Sequence, residues 1–179
     1  MTNFQPLAAD EIAADRKNTS VAVSATQRET DRMLVSSIDA GKTLCELSGW
    51  KMSNLRLQKV LYIAHMYHLG TKKRPLIKET FEAWMYGPVE PKLYRYCRFY
   101  GRNGIPNIFP IGSGVDENSH EYETLRAINE MTKDISSAKL LKFTHSDKGA
   151  WKKVYNGGER GLPIPNDLIE REHHDQRAG

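Results

Sequence analysis

The sequence predicts a mainly α protein: a compact helical domain behind a flexible N-terminal tail. Three observations predict this. After residue 28, apolar residues recur at spacings of three and four through most of the chain, the period of a helix with one buried face. Serines stand just before several of these segments and glycines just after them. A serine hydroxyl there caps free N–H groups, and a glycine takes the left-handed turn that ends a helix. Strand-like alternation is confined to one short aromatic run, Thr80–Tyr86.

Residues 1–28 are rich in Ala, Thr, Ser, Asp and Asn, with scattered apolar residues such as Leu7, Ile12 and Val21. Such a segment buries too little to offset its ordering entropy, so it reads as a tail. Glu29–Leu47 reads as the first helix, with Leu34, Ile38, Gly41 and Cys45 on one face and Ser48-Gly49 ending it. Ser53 caps the next and strongest helix. Its face is Leu57, Val60, Leu61, Ala64 and Tyr67 or His68, and Gly70 terminates it. Thr80–Tyr86 reads as a strand stopped by Gly87-Pro88. Pro91 opens a helix that runs to Tyr100, because the first helical turn has no use for its missing N–H.

Gly104–Gly114 reads as an irregular loop with room for a short second strand. Ser119 caps a helix through Ile135, and Ser136 or Ser137 starts a short one that buries Leu140 and Leu141, with Phe143 as a further candidate. Trp151–Tyr155 is a short turn or helix, and 157–165 a loop. Asn166 caps a last helix over 167–173, where Asp167 and Glu170 suit the dipole.

Composition limits the function. The chain has 179 residues, 39% of them hydrophobic, which suits one domain with a modest core. A net charge of +4 favours an acidic partner surface over a basic one without specifying nucleic acid. The two cysteines, Cys45 and Cys97, form neither a disulfide framework nor a CxxC pair, which points to a reducing compartment. No signal-like apolar region opens the chain, and no apolar run approaches the roughly 18–20 residues that span a bilayer. The expectation is a cytoplasmic protein with no membrane partner.

Catalytic patterns are missing. There is no GxSxG, HExxH, Walker-type loop or GxGxxG. The expectation is therefore no enzyme, no cofactor and no metal. His65 and His68 are three apart but lack a further ligand at matching spacing. One should edge the buried face and the other face solvent. His145 and Asp147 have the form of a base with its orienter, but no nucleophile accompanies them. Thr144 and His145 are expected to brace the end of the preceding helix instead.

Binding chemistry is better represented. Lys92, Arg95, Arg98 and Arg102 recur at three, three and four, flanked by Tyr94 and Phe99. Such a stripe is a solvated face, a surface for an acidic protein, or a nucleic-acid contact, in that order of expectation. Phe81, Trp84, Tyr86, Tyr94, Tyr96, Phe99 and Tyr100 make the densest aromatic region, and Trp, Tyr and Arg dominate protein-interface hot spots. One of Trp84 and Tyr86 is expected in the core.

Three segments together resemble the Panacea domain of the SocA-like antitoxin family. Leu55-Arg56-Leu57-Gln58-Lys59-Val60-Leu61-Tyr62 is similar to the family's L-Q-K-L-L-Y helix. Ala83-Trp84-Met85-Tyr86-Gly87-Pro88-Val89 is similar to its A-W-x-Y-G-P-V turn. Leu140-Leu141-Lys142-Phe143-Thr144-His145, followed by Trp151-Lys152-Lys153-Val154-Tyr155, is similar to its L-x-x-x-T-H…W-x-x-x-Y ending. The likeness covers about 52–155, more loosely to 169, and departs where Gly149-Ala150 replaces a proline common before the tryptophan.

The resemblance implies a helical domain with a small β-hairpin, placed at 29–175. It implies an antitoxin that binds and neutralises a protein toxin encoded beside it, and in one form of the family an adaptor that hands the toxin to the ClpXP protease. Leu57, Lys59, Leu61, Tyr62, Gly87, Pro88, Val89, Thr144, His145 and Trp151 are then motif residues with structural roles, Leu57, Leu61 and Trp151 being core. Trp84, Tyr86, Lys92, Tyr94, Arg95 and Arg98 are the candidates for toxin contact. The competing reading is a nucleic-acid-binding regulator using the Lys92–Arg102 helix, which steep salt dependence would distinguish.

Overall fold

The computed structural model describes residues 34–158 and 161–177. The expected tail and the start of the expected first helix lie outside these residues. Helix α1 spans Ser37–Leu47. Val35 and Ser36, expected to be helical, are not: Val35 bridges Ile77 in parallel, and the Ser36 hydroxyl caps α1 by accepting the Asp39 N–H at 3.1 Å.

Helix α2, Asn54–Lys72, is the centre of the molecule. Ser53 caps it, its hydroxyl accepting the Arg56 N–H. Leu57, Val60, Leu61, Ile63, Ala64, Met66 and Leu69 are all buried, and so are the polar Asn54, Gln58 and Lys59, so α2 is enclosed nearly all round. His65 and His68 are both fully buried, against the expectation that one would face solvent. His65 Nδ1 accepts the Ile77 N–H at 3.4 Å, so Nε2 carries the proton and donates to Asn166 Oδ1 at 3.0 Å. Gly70 does not end the helix. Lys73 does, in the left-handed conformation at φ +58. Gly70 instead admits a neighbour, since a Cβ there would lie 1.9 Å from the His173 ring.

Strands β1 (Glu82–Trp84) and β2 (Gly87–Val89) form an antiparallel hairpin, with Trp84 opposite Gly87 and Glu82 opposite Val89. Gly87-Pro88 therefore opens the return strand rather than stopping the first, and the turn is Met85-Tyr86. Pro88 is tolerated because β2 is an edge strand. Strand β3, Leu162–Pro163, pairs with the other side of β1, within a stretch expected to be loop. Residues 104–114 contain no strand; the segment is pinned by buried Ile105 and Phe109.

Helix α3, Pro91–Cys97, passes into a 3-10 turn at Arg98–Tyr100, and Gly101 ends it at φ +55. Helix α4, His120–Thr132, starts at its Ser119 cap but stops short of Ile135. The Arg56 guanidinium takes the Thr132 and Ile135 carbonyls at 2.5 and 2.6 Å, supplying the partners that further helix would have supplied. Helix α5, Ser137–Thr144, buries Leu140 and Thr144. Leu141 is only half-buried and Phe143 is exposed, because so short a helix presents one narrow line to the core. Helix α6 is Ala150–Val154. Helix α7, Asn166–Arg177, runs past His173 and packs along α2. Among the described residues no helix is long and apolar enough to cross a membrane, and no group of three or more His, Cys, Asp or Glu could hold a metal ion.

Candidate interaction groove

The three motif segments, far apart in sequence, meet at the hairpin. Lys59 on α2 is wholly buried and donates from Nζ to the Pro88 carbonyl at 2.9 Å. Its neighbour Gln58 accepts the Glu90 N–H on Oε1 at 2.7 Å. The buried Glu90 carboxylate then caps α3, accepting the Lys92 and Leu93 N–H groups at 2.9 and 2.7 Å. A cap that sequence inspection missed thus links α2 to the start of α3.

Gly87 sits at φ +88, and a Cβ there would lie 2.8 Å from Lys59 Nζ, 3.0 Å from His145 Cε1 and 3.3 Å from Thr144 Oγ1. The missing side chain lets all three approach. Thr144 and His145 brace the end of α5: Thr144 Oγ1 donates to the Leu141 carbonyl at 3.1 Å, and His145 Nδ1 lies 2.7 Å from the same oxygen. His145 Nε2 reaches the Met85 carbonyl at 3.4 Å. Its ring packs edge-on against buried Trp151 at 4.0 Å, and Trp151 Nε1 donates to the Trp84 carbonyl at 2.8 Å. Leu57, Leu61, Tyr62 and Val89 are buried. Tyr62 has a further task. Its hydroxyl donates to Glu172 Oε2 at 2.6 Å, and the same oxygen accepts the Ala150 N–H at 3.0 Å, tying α2, α6 and α7 together. Burial pushes the Glu172 carboxyl up; burial, and then the Glu172 charge, pushes the Tyr62 phenol well up.

Between α2, the hairpin and the α3 turn lies a groove of about 560 Å³, a size that holds a few side chains. Asn54, Gln58 and Lys59 form its most buried part. Trp84 and Tyr94, packed edge to face at 4.8 Å, form one wall. Leu55, Met85 and Tyr86 line it while 40%, 63% and 65% exposed. Arg98 and Arg102 supply cations, and among the described residues no Asp or Glu lines it. Burial lowers the Lys59 amine to about 7. Two buried amide atoms have no hydrogen-bond partner among the described residues: Asn54 Oδ1 and Gln58 Nε2.

Of the residues expected to contact a partner, the groove gathers Trp84, Tyr86, Tyr94 and Arg98. Lys92 and Arg95 do not line it. Lys92 Nζ lies 3.1 Å from Glu79, and Arg95 stays exposed on α3. The basic stripe breaks because the α-helix ends at Cys97, which turns Arg98 and Arg102 toward the groove. Neither Trp84 nor Tyr86 is in the core, contrary to expectation: alternation along the strand turns Phe81 and Ala83 inward and Glu82 and Trp84 outward. Lys59 and Val89, expected to be only structural, also line the groove. Asn54, Leu55, Gln58, Met85 and Leu141 were not singled out. The available signal was Asn54, Gln58 and Lys59 themselves, polar residues in the first turns of a helix whose neighbours Leu57, Val60 and Leu61 are apolar.

Comparison with known proteins agrees with this arrangement. The model of the antitoxin SocA-like family, Panacea domain, matches residues 57–152, a span from α2 into α6 that holds the hairpin and most of the groove. Antitoxin SocA of Caulobacter vibrioides (strain NA1000 / CB15N) is 37% identical over 126 residues, covering 63% of this chain and 65% of that protein. The chain thus spans just under two thirds of that relative's length. No solved structure matches. With more than half of its residues inside the family model and the family's motifs joined at one hairpin, the chain belongs to the SocA-like antitoxin family that carries the Panacea domain.

Proposed function

We infer that this protein is an antitoxin of the cytoplasm that binds a protein toxin and neutralises it by contact rather than by catalysis. Family membership supports the antitoxin role. The observation that carries the choice of surface is the groove: aromatic walls, exposed Met85 and Tyr86, and Arg98 and Arg102 with no acid among the lining residues. Exposed aromatic and arginine side chains around a concave surface are the usual anchors of a protein interface. Neutralisation then proceeds by sequestration or by delivery of the bound toxin to ClpXP.

The test is co-purification with the product of the neighbouring gene, with and without ClpXP and ATP. A complex that survives the protease means sequestration; a partner lost only when this protein is present means delivery. Arg98→Glu should weaken the complex by about tenfold or more with an unchanged denaturation midpoint. Arg95→Glu, outside the groove, should weaken it less. Equal affinity in wild type and Arg98→Glu would refute the surface, and absence of any complex would refute the antitoxin reading. A duplex-DNA control at two salt concentrations reads the nucleic-acid alternative directly, since phosphate binding weakens steeply with salt.

A further inference from the structure

We propose that the groove is a receptor for an extended segment of a partner polypeptide, one that presents a main-chain N–H and C=O to Asn54 and Gln58, an apolar side chain to the aromatic wall and an acidic side chain to Arg98 and Arg102. This rests on the binding reading above and names the chemistry of what is bound.

The first support is the pair of unpartnered amide atoms. Asn54 is 5% exposed and Gln58 1%, and both residues line the groove. Asn54 Oδ1 is an acceptor without a donor, and Gln58 Nε2 a donor without an acceptor. The orientation of Gln58 is fixed, because its Oε1 already accepts the Glu90 N–H at 2.7 Å. Folded proteins rarely leave such groups unpaired, since each lacks the hydrogen bonds that water would have given it. One missing donor and one missing acceptor are the complement of one residue of an extended chain, whose N–H and C=O leave on the same edge.

The spacing agrees. Asn54 and Gln58 are four apart on α2, so they stand about 5–6 Å apart on one face. An extended chain presents successive peptide groups on one edge at roughly 6.6 Å, two residues of rise. A strand laid along α2 meets both amides. A lone carboxylate, which only accepts, would leave Asn54 Oδ1 unpaired, whereas a main-chain segment supplies both a donor and an acceptor.

The second support is charge. Arg98 and Arg102 line the groove and, among the described residues, no carboxylate does. The Arg98 guanidinium lies over the exposed Phe99 ring at 4.9 Å. No acid among these lining residues neutralises the two guanidinium groups, so an acidic side chain on the guest completes the site.

The test is a selection that does not need the toxin. A phage-displayed library of random twelve-residue peptides, presented internally, is selected on the immobilised full-length protein. Enriched sequences should pair an apolar or aromatic residue with a nearby Asp or Glu. Their capped synthetic peptides should bind Asn54→Leu and Arg98→Glu at least about tenfold more weakly. Asn54→Leu should also keep or raise the denaturation midpoint, since it removes an unpaired buried oxygen; a merely structural asparagine would lower it. Gln58→Glu, which retains the oxygen for the Glu90 amide and removes the free donor, should weaken binding in the same way. No enrichment, or binding indifferent to all three variants, would overturn the proposal. These outcomes are separable from failure of the antitoxin reading, which co-purification tests. A toxin complex unaffected by Asn54→Leu would leave that reading standing and remove this one.

Discussion

Single residues carry two consequences that the chain's chemistry makes measurable. His65 is fully buried, hydrogen-bonded on both ring nitrogens, and lowered by burial to about 4. The unfolded chain takes up this proton as pH falls through about 6.5, whereas the folded chain holds it off until about 4. More protons are bound by the unfolded state across that window, so stability falls as pH drops from 6.5 toward 4 and levels below it. The contribution is on the order of 3 kcal/mol. His68, also lowered to about 4, acts in the same direction, and the raised carboxyl of Glu172 acts in the opposite one. Urea melts at pH 7 and pH 4.5 should show this loss in the wild type and a smaller loss in His65→Gln; equal losses would refute the assignment. At Gly87 the prediction is steric. Gly87→Ala meets both a positive φ of +88 and a lysine nitrogen 2.8 Å away, and should cost about 1–3 kcal/mol in the same melts.

At the scale of elements, most helix starts follow local caps, while one helix end is closed by a distant residue. Ser53, Ser119 and Ser136 cap their own helices, as local sequence suggests, and Ser36, expected inside a helix, caps α1 instead. The end of α4 is different, because Arg56 on α2 supplies the donors for its last carbonyls. Arg56→Met keeps the aliphatic stem and removes those donors. It should lower stability by about 1–3 kcal/mol and speed hydrogen exchange where the last turn of α4 meets α5. Unaltered exchange there would mean that water replaces the guanidinium without loss. The hairpin follows the same logic: two three-residue strands are too short to persist alone, and Lys59, His145 and Trp151 hold them from outside.

For the whole molecule, the decisive feature is one enclosed helix with the other elements ranged around it. Cys45 on α1 and Cys97 on α3 are both fully buried, and burial pushes each thiol up to about 12. Reaction with a disulfide reagent at pH 8 requires exposed thiolate, so labelling should be at least about a thousandfold slower than in the unfolded chain. Its free energy should match the global value from denaturant melts. Labelling at a much lower free energy would show that α1 or α3 opens on its own.

The sequence by itself determined the helical class, the serine caps of α2, α4 and α5, the placement of Leu57, Leu61 and Trp151 inside, and, through three motifs, the family. These depend on neighbours within a turn or two, or on short residue patterns, so they can be read along the chain. Only the tertiary structure decided where the motifs meet. Gly70 looked like a helix end and proved to be a seat for His173; Gly87-Pro88 looked like a strand stop and proved to be a strand. His65 and His68 looked half-exposed and are buried, because α2 is covered on the side its own pattern left polar. The groove was least legible of all. Its residues come from α2, the hairpin, the α3 turn and α5, and which amides remain unpaired is settled only after every other donor and acceptor in the fold has found its partner.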